Sequence, residues 1–169
     1  EKFMRCNDII VDYFVCNGTT HLIGIGDRRT LNTNTSISPV TYGTVYPSEV
    51  PDLFIEKCHD KFIRLFQNLN IRDGIFEMQV FVDGQEFYPY DIACHLTGES
   101  SGAIFPEVYG INLIDALITY ALTGKMGSVE SILNSSNMSS RKAAQSIWIL
   151  LSPGKIANIS GIEDIKAQK

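Results

Sequence analysis

Residues 74–98 read GIFEMQVFVDGQEFYPYDIACHLTG. Two runs rich in β-branched and aromatic residues, 75–82 and 86–93, flank Asp83-Gly84-Gln85, which is the pattern of a β-hairpin. Alternate side chains of a strand point to opposite faces. In the first run the even positions Phe76, Met78, Val80 and Val82 are all apolar and should face a layer of helices. The odd face then carries Ile75, Glu77, Gln79 and Phe81. Whether Asp91 of the second run joins that odd face depends on the turn. A two-residue loop at 83–84 pairs 82 with 85 and places Asp91 on the core face. A loop at 83–85 sets 77 opposite 91 and 79 opposite 89, because a slip of one residue exchanges the faces. An unpaired buried carboxylate is costly, so burial favours the longer loop, which gathers Glu77, Gln79 and Asp91. Clustered acids repel unless compensated. A hard cation does this well, since Mg²⁺ takes one or two carboxylates and fills its other positions with phosphate and water. The competing reading is a solvated sheet face.

Outward from the hairpin the pattern alternates between strand and helix. DIIVDYFVC (8–16) and TTHLIGIG (19–26) flank Asn17-Gly18, the sequence of a type I′ hairpin turn. Asp27-Arg28-Arg29 reads as the end of the second strand. LNTNTSIS (31–38) is loop-like, and PVTYGTVYP (39–47) supplies a third strand. From about 49 to 69, Ile55, Cys58, Phe62, Leu65, Phe66 and Leu69 recur every three or four residues, the stripe of an amphipathic helix. Ser48 and Pro51 suit its first turn. INLIDALITYALT (111–123) reads as a second helix closed by Gly124. A short helix is expected over 127–135, a buried strand at SIWILL (146–151), and a helical stretch at 161–168. The expected class is α+β: a mainly antiparallel sheet with helices packed on one face.

Composition bounds the function. At 169 residues with 44% hydrophobic and 20% charged, the chain can bury a core as one domain. The net charge of −5 and the absence of a basic run disfavour a nucleic-acid surface. No run approaches the roughly 18–20 apolar residues of a membrane helix, so no membrane partner is expected. Cys6, Cys16, Cys58 and Cys94 form no CxxC and read as reduced thiols of a cytoplasmic protein. His21 and His59 read as strand and helix surface residues without a role. The chain starts at Glu1 and reaches strand-like sequence within ten residues, which reads as a segment of a longer protein.

The run from Gly74 to Gly98 resembles the metal-binding hairpin of ATP-grasp enzymes, whose second strand ends Glu-x-Asn-x-Arg. Gln79 matches the first metal ligand, and Asp91, twelve residues on, falls on the Glu of the second. The resemblance extends both ways. Glu1 with Phe3-Met4 is similar to the hinge that lines the adenine and ribose pocket, and Asp8 to the acid that holds the ribose hydroxyls. LLSPGKIANISGIEDI is similar to the opening of the family's C-terminal extension. The match is nearest to the carbamoyl phosphate synthase-like and biotin carboxylase-like branches. Two positions depart from the pattern: Ala93 stands for the Asn and His95 for the Arg. Glu77 could replace the lost ligand. His95 lacks the bidentate fork of Arg.

The resemblance implies the C-terminal lobe over 1–125, with its metal hairpin at 74–98, and the start of an extension over 126–169. It implies ATP and Mg²⁺ or Mn²⁺ as cofactors, with Gln79, Asp91 and Glu77 as metal ligands, Glu1 and Asp8 at the nucleoside and His95 at phosphate. The reaction it implies turns a small carboxylate into an acyl phosphate for attack by an amine. The chain would need an N-terminal lobe of the same parent and would not act alone; a homodimer is open. Arg28 and Arg29 are candidates to grip a substrate carboxylate with a planar fork, against a solvated turn. The loop TGESSG (97–102) offers backbone donors but, with no helix expected directly after it, is no P-loop. Two other readings stand beside this one: a degenerate lobe that binds nucleotide without catalysis, and an α+β interaction domain.

Overall fold

The computed structural model describes residues 4, 6–31, 40–96, 98, 101–127, 142–149 and 151–167. Six strands form one sheet in the order β5-β4-β1-β2-β3-β6, every neighbouring pair antiparallel. They are β1 (Asn7–Cys16), β2 (Thr19–Leu31), β3 (Val40–Tyr46), β4 (Gly74–Asp83), β5 (Glu86–Ala93) and β6 (Ala144–Ile147). Helices α1 (Pro51–Phe54) and α2 (Asp60–Asn68) run on through a π-helical turn at Ile55–His59. Helices α3 (Ser101–Tyr109), α4 (Leu113–Thr123) and α5 (Ile162–Lys166) follow later. The class is α+β, as expected, but helices pack on both faces of the sheet and not on one, because alternate residues of β1 are apolar on either side. Among the described residues no helix is long and apolar enough to cross a membrane.

The β1–β2 turn is the expected one. Cys16 pairs with Thr19 across Asn17 (φ 51°) and Gly18 (φ 80°), the two positive φ values that a type I′ turn needs. Phe76, Met78, Val80 and Val82 do face helices: they pack with Ile9, Val11, Tyr13 and Val15 of β1 against Phe54, Cys58, Phe62 and Phe66. The buried stripe therefore runs at strict spacing of four, while Ile55, Leu65 and Leu69 are exposed. The π-helical turn shifts the phase of the stripe, so that Cys58, Phe62 and Phe66 of the expected residues are buried and the others are not.

A second core lies on the opposite face. Ile10, Phe14, Ile23 and Tyr46 pack there against Phe105, Tyr109, Ile111 and Leu113. Its helix α3 was not expected, because Pro106 interrupts the stretch; burial of Ile104, Phe105, Val108 and Tyr109 holds the helix despite it. This helix begins at Ser101, inside the stretch 97–102 that was expected to be a loop with no helix directly after it; Thr97, Glu99 and Ser100 lie outside the described residues.

Three further expectations need correction or fall elsewhere. Strand β2 does not end at Asp27-Arg28-Arg29 but continues to Leu31, because β3 pairs with that stretch. The segment 146–151 is no buried strand: β6 covers only Ala144–Ile147 on the sheet edge, and Ile147, Ile149 and Leu151 are exposed. Residues 32–39 and 128–135 lie outside the described residues. The α4 helix begins at Leu113, capped by Asn112 Oδ1, which accepts from the Asp115 N–H at 3.2 Å, and ends at left-handed Gly124. All four cysteines are free; Cys16 and Cys58 are buried, Cys94 is exposed and Cys6 lies between.

Candidate functional site

The hairpin adopts neither of the two anticipated registers. Asp83 pairs with Glu86, so the turn is Gly84-Gln85, with Gly84 at φ 60°. Phe81 pairs with Tyr88 and Val80 with Pro89, but the next pairs are Gln79 with Asp91 and Glu77 with Ala93. Tyr90 is an extra residue, a β-bulge on the edge strand. A bulge re-aims the residues after it, and here it turns Asp91 onto the face of Gln79 and Glu77. The gathering expected from burial cost is therefore present, reached through a bulge rather than a longer loop.

On that face β1 contributes Asp8 and Asp12, which lie opposite Arg28 and Gly24 of β2 and Phe81 and Glu77 of β4. Arg28 joins the strands. Its Nη1 donates to Asp8 Oδ2 at 2.7 Å, to the Tyr90 hydroxyl at 2.7 Å and to Gln79 Oε1 at 3.1 Å. Its Nη2 donates to Thr41 Oγ1 at 2.8 Å. Side chains from β1, β3, β4 and β5 thus meet on one guanidinium from β2. The Arg28 and Asp8 side chains are 10% and 6% exposed, so little solvent screens this pair. Tyr90 donates to Asp8 Oδ2 at 3.0 Å and stacks on Phe81 with centroids 4.1 Å apart. Burial, then Asp8, pushes its phenol well above the ordinary range, which keeps it a donor. The candidates Asp8, Arg28 and Gln79 are brought together.

Below this cluster lie two buried acids. Asp12, which the sequence reading missed, is 1% exposed and sits directly opposite Glu77, 6% exposed. The signal was present: Asp8 and Asp12 are four apart in an apolar strand and so share a face. Tyr46 donates to Asp12 Oδ2 at 3.2 Å, and burial, then Asp12, raises its phenol well above the ordinary value. Glu77 Oε1 accepts from Gln79 Nε2 at 3.4 Å, while Glu77 Oε2 is buried with no hydrogen-bond partner among the described residues. Glu77 is therefore no solvated surface acid.

These atoms can be tested against a metal ion. Among the described residues no three His, Cys, Asp or Glu side chains come together to hold one. Magnesium that also meets phosphates needs only one or two carboxylates. The orphaned Glu77 Oε2 and the exposed Asp91, diagonal to it on one face, fit such an oxygen set. Diagonal cross-strand neighbours stand roughly 7–8 Å apart, within reach of two carboxylates sharing an ion and its waters. Ala93, directly opposite Glu77, offers no ligand.

The remaining candidates stand apart. Arg29 lies 3.9 Å from Asp27 and 3.6 Å from the exposed Glu49, at a recess of about 50 Å³ that Asp8, Asp27 and Glu49 also line. Asp27 accepts from Ser48 Oγ at 2.5 Å and from the Glu49 N–H at 3.2 Å, fixing the entry to α1. His95 is exposed, with Nδ1 2.9 Å from the Leu96 carbonyl oxygen. Glu1 lies outside the described residues. His59 is more than a surface residue: it is 3.0 Å from the Tyr13 hydroxyl and its ring stacks on Tyr13.

No family model and no curated protein sequence matches the chain. Solved structures do. An L-amino acid ligase from Bacillus licheniformis matches 98% of this chain at 17% identity and a TM-score of 0.69. A phosphoribosylglycinamide synthetase from Anaerococcus prevotii matches 95% at 15% identity and 0.73. These two and a biotin carboxylase from Campylobacter jejuni, matched over 79% at 20% identity and 0.59, are ATP-grasp enzymes. The chain has the fold of an ATP-grasp lobe. It spans 41% of the length of the first two structures and 29% of the third. The fold match agrees with the resemblance drawn from residues 74–98.

Proposed function

We propose that this chain is the C-terminal lobe of an ATP-dependent ligase and that the open face of β1, β2, β4 and β5 is its ligand surface. The observation that carries the reading is the buried Glu77 Oε2, without a hydrogen-bond partner among the described residues, on the same face as exposed Asp91, in the hairpin whose sequence resembles the ATP-grasp metal hairpin. Asp91 and Glu77 would hold Mg²⁺ or Mn²⁺, which when bound neutralises charge on the phosphates of ATP. Asp8, held by Arg28 and Tyr90, presents an acceptor to the ribose hydroxyls. His95 contacts phosphate just past the end of β5. Arg29 takes a substrate carboxylate by exchanging Glu49 for it. The carboxylate attacks the γ-phosphoryl group to give an acyl phosphate and ADP; an amine then displaces phosphate. The protein's part is positioning and charge stabilisation.

The 50 Å³ recess is far smaller than the roughly 300–1,000 Å³ of a cofactor pocket. An N-terminal lobe of the same parent would supply the opposite wall, and the parent would work in the cytoplasm. Calorimetric titration of Mg·ATP into the full-length protein tests the reading. Binding should weaken about tenfold or more in Asp91→Ala; binding indifferent to Asp91 overturns it. A second reading, nucleotide binding without turnover, is favoured by Ala93 opposite Glu77. It predicts the same titration but no ADP release with any carboxylate and amine.

A further inference from the structure

The amide of Gln79 is engaged at both ends, which fixes its orientation. Its Oε1 accepts from Arg28 Nη1 at 3.1 Å, and its Nε2 donates to Glu77 Oε1 at 3.4 Å. A metal ligand must turn a lone pair to the ion. To aim its oxygen toward an ion beside Glu77, Gln79 would have to flip its amide. The NH₂ group would then face the Arg28 guanidinium, donor against donor, since Arg has no acceptor. The carbonyl oxygen would face the Glu77 carboxylate, acceptor against acceptor. Arg28 cannot easily yield, because Asp8, Tyr90 and Thr41 hold it as well. It is also a positive charge that opposes a dication at Gln79 Oε1.

We propose that Arg28 is the resident cation of this face, a positioning residue that fixes the Gln79 amide and excludes Gln79 from the metal ligands, so that an oxygen-bound divalent cation is held by Glu77 and Asp91. The inference deepens the metal assignment made above and reverses two expectations from sequence. Arg28 does not grip substrate, and Gln79 does not ligate metal.

Mn²⁺ alone, titrated into the full-length protein and followed by electron paramagnetic resonance, tests it without nucleotide or turnover. Gln79→Ala should leave Mn²⁺ affinity within about twofold, while Asp91→Ala should lower it about tenfold or more. Arg28→Met frees the amide to flip, so Mn²⁺ should bind about tenfold more tightly, and Gln79→Ala in that background should abolish the gain. A tenfold loss in Gln79→Ala alone overturns this division of ligands and leaves the nucleotide reading standing. No Mn²⁺ binding by the unaltered protein overturns both the division and the metal assignment. If Arg28→Met does not fold, the comparison of Gln79→Ala with Asp91→Ala decides the question by itself.

Discussion

Tyr46 reaches from β3 under the site and places its hydroxyl 3.2 Å from Asp12 Oδ2, where both residues are 1% exposed. A buried carboxylate depends on each donor it has, because water cannot replace one that is lost. Tyr46→Phe keeps the ring contacts with Phe105 and Tyr109 and removes only the donor. It should cost about 1–3 kcal/mol of stability, read from the urea midpoint. A change of a few tenths would mean that the other contacts of Asp12 suffice. The same logic governs Glu77, whose second oxygen has no donor at all among the described residues. Glu77→Gln should therefore be neutral or mildly stabilising in metal-free protein and should lose the stabilisation that added Mn²⁺ gives the unaltered protein, by about 1.4 kcal/mol for each tenfold in bound ion. Thermal midpoints with and without Mn²⁺ separate the two effects.

Among the elements, β6 is held to the sheet at a close approach that a small residue permits. A Cβ added at Gly43 would overlap the backbone carbonyl oxygen of Ser146, the residue before its cross-strand partner Ile147. That oxygen belongs to the strand and cannot swing aside as a side chain could. Gly43→Ala should prise β6 from the sheet at about 1–3 kcal/mol. The Trp148 amide, now bonded to the Tyr42 carbonyl at 2.7 Å, should lose protection from hydrogen exchange while the β1–β4 amides keep theirs. Full protection at Trp148 would show that the strands shift to accept the methyl. Sequence patterns read these elements unevenly. Alternation in 75–82 and the Asn17-Gly18 turn are local signals with one physical meaning, and both are present in the fold. The Tyr90 bulge has no such signal, because it is fixed by bonds from Tyr90 to Asp8 and Arg28, 82 and 62 residues away. For the same reason Asp8, Arg28 and Gln79 could each be singled out, yet their mutual bonding could not. The α3 helix stayed hidden behind Pro106, whose local cost the second core overrides.

Across the whole molecule, helices α1 and α2 cover the sheet face that carries Tyr13, Phe76 and Met78, and the pH response should come first from that side. There the Tyr13 hydroxyl is 3.0 Å from His59 Nδ1. Burial raises the Tyr13 phenol well above its ordinary range, so it holds its proton and donates to a neutral imidazole. Burial also lowers the His59 pKa from 6.5, only partly offset by Asp60, and burial lowers His21 in the same direction. A histidine with a lowered folded pKa binds a proton more readily when the chain unfolds. Stability from this source is fully present above the unfolded value near 6.5 and is lost as pH falls below it. Protonation would also turn Nδ1 into a donor facing the Tyr13 hydroxyl. The urea midpoint should therefore be lower at about pH 5.5 than at about pH 7.5. His59→Gln, which keeps an acceptor but cannot titrate in this range, should shrink that difference without removing the part due to His21. If His59→Gln leaves the difference unchanged, the buried side of the sheet does not set the acid response.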